Sequence, residues 1–246
     1  MAVRGSRVFT ERAGEGDTVL LLHGGFGTNE DFASIVPELA KHFTVVAFER
    51  PGHGHTADTG EPFTYSVMTG YTVDFIEAMK LGPVHLIGWS DGGIIALLVA
   101  ISRPDLVGRI VPVSANFDTS YYTPQTVEWL RSSTPESFRG QEPAVVKRYE
   151  ETSPDGPSHF PVVFRKTMGM WLAEPNIPRQ DLARISAPAL VMAGDHDVIP
   201  AEHTVELFRS IREAELSIVP GTTHWLLAEK PEETGRAMVD FLKAKG

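Results

Sequence analysis

The chain has 246 residues, enough for one well-buried α/β domain with an inserted lobe but too few to favour two independent domains. Its 32 Asp and Glu residues outnumber 22 Lys and Arg residues, and the formal charge of -10 argues against nucleic acid and anionic membranes as partners. The absence of cysteine excludes disulfides, thiolate metal sites and a cysteine nucleophile.

The first ten residues, MAVRGSRVFT, lack the apolar stretch of a signal peptide. No run in the chain approaches the roughly 18 apolar residues of a membrane span. We therefore expect a cytoplasmic protein with no membrane partner, present as a monomer or a homodimer.

The first part of the chain alternates between strand and helix patterns. Residues 8–9 and 18–22 predict an antiparallel start to a sheet, and residues 29–40 predict a helix capped by Asn29. Further strands are predicted at residues 43–48, 84–87, 109–113, 189–193 and 215–219, and further helices at 65–80, 94–101, 202–211 and 232–242. This alternation predicts an α/β fold with a mostly parallel, doubly wound sheet.

A glycine-rich loop, HGGFG, follows the strand at 18–22. Its glycines let the backbone approach a neighbour closely, and its amide groups can hold an anion. We expect this loop to form half of an oxyanion hole, with Gly25 or Phe26 as the donor. His23 is expected to bond within the turn, because a catalytic base is better placed later in the chain.

The centre of the chain is GWSDGG, which lies between the strand at 84–87 and the helix at 94–101. It contains G-x-S-x-G, the pattern of a nucleophile elbow. Side chains at positions 88 and 92 would collide with neighbouring backbone, and Ser90 is forced into a strained conformation. The amide of Asp91 and the helix dipole then point at charge developing near Ser90, which predicts the second half of the oxyanion hole.

Residues 117–184 interrupt the alternation of strands and helices and are rich in proline, charge and aromatic side chains. An insertion at this point would lie over the C-terminal edge of the sheet, where open α/β sheets bind ligands. We predict a core formed by residues 1–116 and 185–246, with a helical cap at 117–184. Three cap residues are candidates for lining a pocket: Met168, Met170 and Trp171.

A serine hydroxyl needs a base to become a nucleophile, and histidine has a suitable pKa near neutral pH. In a doubly wound sheet the reacting groups meet beyond the C-terminal ends of buried strands. The candidates there are Ser90, then Asp195 or Asp197, then His224, which is the chain order this kind of fold uses.

Neither a metal nor an organic cofactor is expected. His53 and His55 have ligand-like spacing but no third ligand nearby, which favours a structural loop. The expected partner is a small-molecule ester substrate.

Five segments, HGGFG, ERPGHG, GWSDGG, AGDHDVIP and GTTHW, occur in this order over almost the whole chain and resemble the α/β-hydrolase superfamily. The resemblance implies that fold, with Ser90 as nucleophile and His224 as base. The family pattern G-x-x-D favours Asp197 over Asp195 as the acid, and leaves Asp195 to shape its loop. In such esterases the residue that follows HG donates to the oxyanion, which favours Gly25 over Phe26.

The aspartate that follows the serine resembles the valacyclovir-hydrolase (biphenyl-hydrolase-like) branch. This resemblance implies that the Asp91 carboxylate binds the ammonium group of α-amino-acid esters. Trp89 and Trp171 are candidates for further substrate contacts. The sequence thus predicts a serine hydrolase that cleaves small carboxylic esters through an acyl-enzyme. Carbon–carbon bond cleavage, amide cleavage, a perhydrolase side reaction and a small-ligand receptor that keeps the triad remain open, since fold does not separate them.

Overall fold

The computed structural model describes residues 1–244, so residues 245–246 of the predicted core lie outside the described part. The strands are β1 (Ala2–Val3), β2 (Ser6–Arg7), β3 (Thr10–Ala13), β4 (Thr18–Leu22), β5 (Thr44–Phe48), β6 (Val84–Trp89), β7 (Val107–Val113), β8 (Ala189–Gly194) and β9 (Ala214–Val219). The helices are α1 (Val36–Leu39), α2 (Tyr65–Met79), α3 (Asp91–Ser102), α4 (Pro124–Ser132), α5 (Pro135–Gln141), α6 (Pro143–Thr152), α7 (Phe160–Ala173), α8 (Arg179–Leu182), α9 (Ala201–Ser210), α10 (Leu226–Glu229) and α11 (Pro231–Lys243). Among these described helices, none has the length and apolar character needed to cross a bilayer.

Seven strands form one sheet in the order β3-β5-β4-β6-β7-β8-β9. Every neighbouring pair is parallel except β3 and β5, which confirms the predicted α/β class and mostly parallel sheet. The predicted antiparallel pair of residues 8–9 with residues 18–22 is wrong. The antiparallel strand is β3, and it pairs with β5 rather than with β4. Both edges of β4 are already paired, with β5 and β6, so the incoming strand can add only to the outer edge of β5.

The central strands are buried on both faces, which explains their unbroken apolar sequences. In β4, Val19 and Leu21 pack into one apolar cluster, while Leu20 and Leu22 pack into the cluster on the other face. This two-residue alternation follows from the pleat of a strand. Helices therefore cover both faces, and only the ends of the strands are free to carry polar groups.

The predicted helix at 29–40 is wrong in its cap and its continuity. Thr28, not Asn29, is the N-cap of a 3-10 helix over Asn29–Phe32, and α1 is only one turn long. The Asn29 N–H donates instead to the buried Glu49 side chain at 3.2 Å. Pro37 lies in the first turn of α1 and has no N–H with which to continue an upstream helix.

Residues 117–184 connect β7 to β8 and contain α4 to α8, with 3-10 helices at Thr119–Tyr121 and Pro157–His159. Within this stretch the described backbone adds no strand to the seven-stranded sheet, and Asp118 and Asn176 form an isolated bridge. We call residues 117–184 the inserted helical segment.

Candidate active site

The GWSDGG turn joins the end of β6 directly to the start of α3. Ser90 has φ 54° and ψ -120°, and its N–H donates to the Val113 carbonyl at 2.8 Å. A Cβ atom on Gly88 would lie 2.1 Å from the Gly92 oxygen, and one on Gly92 would lie 1.8 Å from the Leu22 oxygen. The predicted strain and backbone collisions are therefore both present, and they hold Ser90 at the end of the sheet.

His224 and Asp197 meet in the loops that follow β9 and β8. The His224 Nδ1 atom lies 2.7 Å from Asp197 Oδ1, and Asp197 also accepts from the Ser114 hydroxyl at 2.5 Å and the Ile199 N–H at 3.0 Å. Burial by itself raises the pKa of Asp197, but these hydrogen bonds outweigh it and hold that pKa below its ordinary value. An ionised Asp197 accepts from Nδ1–H and leaves His224 Nε2 with its lone pair free.

Asp195 lies elsewhere in the same loop. Its carboxylate accepts from the Thr222 N–H at 3.1 Å, and its side chain is 36% exposed. The Asp197 side chain is 1% exposed and is the one in contact with His224. The structure thus brings Asp197 to the histidine and leaves Asp195 to bridge two loops.

Ser90 and His224 open into a cavity of about 570 Å³ between the sheet edge and the inserted helical segment. The other predicted site residues that line it are Gly25, Phe26, Trp89, Asp91 and Trp171. Trp89 also donates its indole N–H to the His224 carbonyl at 2.8 Å. Met168 and Met170 do not line the cavity, contrary to expectation. Both methionines lie on the buried face of α7 and pack in the apolar core.

The Asp91 carboxylate is buried and accepts hydrogen bonds from both sides of the cavity. The Tyr65 hydroxyl donates to Oδ1 at 2.8 Å, and Trp171 Nε1 lies 2.9 Å from Oδ1 and 3.1 Å from Oδ2. Desolvation nevertheless raises the pKa of Asp91, against these hydrogen bonds and the positive charge of Arg50. The donors that contact Asp91 are neutral, and the positive charge near it belongs to Arg50.

The HGGFG loop presses against the same carboxylate. A Cβ atom on Gly25 would lie 2.4 Å from the Trp171 ring and 2.7 Å from Asp91 Oδ2. Phe26 has φ 53°, an uncommon conformation for a residue other than glycine. Within residues 1–244 the N–H groups of Gly25 and Asp91 donate to no backbone carbonyl. Both remain available to a ligand, while His23 is fully buried behind the loop.

Three polar residues near the site were missed by sequence reasoning. Tyr65, in the first turn of α2, donates to Asp91, and Ser114 donates to Asp197. Asn116 lines the cavity and is 7% exposed. Ser114 and Asn116 come directly after β7, so searching every buried strand end for polar side chains could have found them. Tyr65 has no such signal, because the packing of α2 on the sheet determines where its hydroxyl points.

The cavity has a pronounced chemical character. Its lining includes nine aromatic side chains and three carboxylates, and among the described residues no lysine or arginine lines it. The carboxylates belong to Asp91, Asp118 and Glu142. Such a lining favours aromatic, apolar or cationic groups over anions.

Comparisons with known proteins show the family and the fold. A model of the "Alpha/beta hydrolase family" matches residues 19–237. "Serine hydrolase BPHL" of Homo sapiens is 30% identical over 260 residues, covering 99% of this chain and 85% of the human protein. The 2-hydroxy-6-oxo-6-(2'-aminophenyl)hexa-2,4-dienoic acid hydrolase of Metapseudomonas resinovorans is 27% identical, covering 95% of this chain and 86% of that protein. The crystal structure of the enol-lactonase from Burkholderia xenovorans LB400 is similar in fold, with a TM-score of 0.79, 20% identity and 99% coverage of both chains.

Proposed function

The chain belongs to the alpha/beta hydrolase family, and we propose that it is a serine hydrolase that cleaves small-molecule carboxylic esters. Ser90 is the nucleophile, His224 the general base and Asp197 the acid that orients the histidine. The observation that carries this proposal is the 2.7 Å contact between His224 Nδ1 and the buried Asp197, beside a cavity that Ser90 also lines. This contact supports the imidazole tautomer whose Nε2 can accept a proton.

In the proposed reaction His224 Nε2 takes the hydroxyl proton as Ser90 Oγ attacks the ester carbonyl. The tetrahedral oxyanion accepts from the N–H groups of Gly25 and Asp91, with Phe26 as the alternative donor from the loop. The C–O bond to the alcohol then breaks, and His224 returns its proton to the leaving oxygen. Water, activated by His224 in the same way, hydrolyses the acyl-enzyme and restores Ser90.

We propose α-amino-acid esters as the preferred substrates. Asp91, whose carboxylate is buried, directly follows the nucleophile in the chain. The cavity beside it is lined by further carboxylates and, among the described residues, by no lysine or arginine. An ammonium group there would stabilise the ionised form of Asp91 by a charge-assisted hydrogen bond. Trp89 and Trp171 would contact the rest of the substrate, and the inserted helical segment would cover it.

Carbon–carbon bond hydrolysis is the second candidate, because the relative from Metapseudomonas resinovorans is named as a hydrolase of a hexadienoic acid. Such acids are anions at neutral pH. The carboxylates in the lining of this cavity oppose them, so we rank ester hydrolysis first.

Steady-state hydrolysis of a matched substrate panel tests the proposal. It combines p-nitrophenyl esters from acetate to octanoate, α-amino-acid benzyl esters and a 2-hydroxy-6-oxo-hexa-2,4-dienoic acid, on the natural enzyme and on Ser90→Ala. We expect amino-acid esters to be preferred at least tenfold in kcat/KM, about 1.4 kcal/mol of transition-state discrimination. We also expect Ser90→Ala to lose turnover while its thermal unfolding is unchanged.

Each other outcome leads to a different conclusion. Preference for neutral esters would remove the ammonium assignment and leave a general carboxylesterase. Preference for the dienoic acid would favour the second candidate. Undiminished turnover by Ser90→Ala would exclude Ser90 as the nucleophile, and tight binding without turnover by the natural enzyme would indicate a receptor.

A further inference from the structure

The backbone carbonyl of Gly24 is held by three donors. His23 Nδ1 lies 2.8 Å from its oxygen, Arg50 Nη2 lies 3.0 Å away, and the Gly27 N–H lies 3.2 Å away. Because His23 Nε2 accepts the backbone N–H of Arg50 at 3.1 Å, the His23 ring is neutral with its proton on Nδ1. Burial agrees with this state, since it lowers the pKa of His23 well below its ordinary value. Three donors on one oxygen leave it little freedom to turn.

The orientation of this carbonyl also determines the orientation of the Gly25 N–H. The two groups belong to one planar trans peptide unit and point in opposite directions. Two of these donors, His23 and Arg50, are fully buried behind the loop, so the Gly25 N–H is directed away from them. It donates to no backbone carbonyl within the described chain.

Arg50 is an unusual residue to find in this position. It is fully buried, and its Nε and Nη1 atoms have no hydrogen-bond partner within residues 1–244. Desolvation lowers the pKa of Arg50 to about 10, against the attraction of Asp91, so the guanidinium stays charged at neutral pH. A buried and incompletely paired charge weakens a fold rather than strengthening it. Loop stability alone therefore does not account for an arginine here.

We infer that Arg50 is a positioning residue for the oxyanion hole: its Nη2 atom orients the Gly24–Gly25 peptide toward Ser90, and its charge lies behind that peptide. This inference rests on the proposed function, since it needs Gly25 as an oxyanion donor. A preorganised N–H acts on the negative charge of the transition state more than on the neutral ester. Loss of Arg50 should therefore lower kcat and leave KM nearly unchanged.

Two variants of Arg50 test this inference. Arg50→Met removes both the donor and the charge, and Arg50→Lys keeps the charge but loses the planar fork. We expect Arg50→Met to lower kcat for p-nitrophenyl butanoate by about 10-fold, with KM within about threefold. This is less than the roughly 100-fold to 1,000-fold effect of losing an oxyanion donor itself, because His23 and the Gly27 N–H still hold the Gly24 oxygen. Arg50→Met should weaken inhibition by butylboronic acid, which forms a tetrahedral anion on the serine, by a similar factor. Arg50→Lys should be intermediate in both measurements.

Phe75→Leu is the matched control for stability. Phe75 is fully buried on α2 and stacks on Phe48 at 4.2 Å, so the smaller side chain loosens the core without contact with Gly24. We expect it to lower Tm while kcat and boronate affinity stay at natural values. Should Arg50→Met fail to fold, Arg50→Lys still decides the question.

Arg50 variants that lose Tm as Phe75→Leu does, but keep kcat and boronate affinity, would overturn the inference. A rise in KM with unchanged kcat would overturn it as well, because the residue would then act on substrate binding. Failure of the proposed function is distinguishable: the natural enzyme itself would neither hydrolyse the ester nor bind the boronic acid.

Discussion

The two walls of the cavity are built in different ways. On the sheet side, Ser90, Asp197 and His224 each come shortly after a parallel strand, which is β6, β8 and β9 in turn. On the helical side, the lining comes from aromatic side chains of the inserted helical segment, such as Trp129, Phe138 and Trp171. The first wall depends on backbone pairing, and the second depends on the packing of side chains.

The difference is visible in the contacts that hold each wall. Ser90 is held by its backbone N–H, which donates to Val113 on the neighbouring strand. The helical wall is held by contacts between aromatic rings: Phe26 lies 4.9 Å from Phe138 and 5.5 Å from Trp171, between ring centroids. A parallel sheet tolerates little displacement, whereas aromatic packing can be rearranged by substitution. The two walls should therefore respond differently to substitution.

The largest expected effect distinguishes two carboxylates on the sheet side. Asp197→Asn should lower kcat by about 10,000-fold, because an asparagine no longer favours the His224 tautomer that can act as a base. Asp195→Asn, in the same loop, should stay within a few-fold of the natural enzyme, since the Asp195 carboxylate accepts from the Thr222 N–H, whereas Asp197 is the residue that contacts His224. Pre-steady-state and steady-state kinetics with one p-nitrophenyl ester measure kcat for both variants. Reversed effects would exchange the two roles.

The next effect tests the Asp91 carboxylate, which joins the two walls through its hydrogen bonds with Trp171. Asp91→Asn removes the carboxylate charge but keeps the backbone N–H and the size of the side chain. We expect KM for an α-amino-acid benzyl ester to rise about 10-fold to 100-fold, the value of a hydrogen bond to a charged group, while KM for a neutral ester of the same length changes little. Equal changes for both esters would show that Asp91 serves the fold rather than the ammonium group.

The smallest effect concerns pH. Because the pKa of Asp91 is raised, its carboxylate becomes protonated at a higher pH than an ordinary aspartate does. A neutral acid pairs poorly with an ammonium group, so KM for amino-acid esters should rise on the acid side while KM for neutral esters does not. Trp171→Phe removes hydrogen bonds that favour the ionised form, so this rise should begin at a higher pH.

Trp129→Phe is the control for that measurement. Its indole N–H donates to Gln141 and not to Asp91, so its loss should leave the pH at which KM rises unchanged. A shift of the same size in both variants would mean that ring packing on the helical wall, rather than the hydrogen bond to Asp91, controls the titration.

Most of the sheet could be predicted from sequence. The apolar runs, the glycines of the elbow and the strand ends identify where Ser90, Asp197 and His224 come in the chain, and the α/β-hydrolase fold that these segments resemble is confirmed. The prediction for residues 29–40 failed because Thr28 competes successfully as the cap and Pro37 interrupts the backbone hydrogen bonds. Edge pairing at β3 also failed, since strand order is a long-range property that local patterns do not contain.

The helical wall shows why the rest could not be predicted. Of the three residues expected to line a pocket from this segment, Trp171 does so, while Met168 and Met170 are buried. Helical periodicity can predict that a face is apolar, but it does not say whether that face meets the core or a cavity.

By itself the sequence determined the class of fold, the strained turn at Ser90 and the order of the polar residues at the strand ends, because these follow from short-range sterics and from patterns of burial. Only the tertiary structure decided that Asp197 rather than Asp195 meets His224, that Tyr65 and Trp171 converge on Asp91, and that Arg50 lies behind Gly24. These contacts join residues that are distant in the chain, and their distances depend on how helices and loops pack on the sheet.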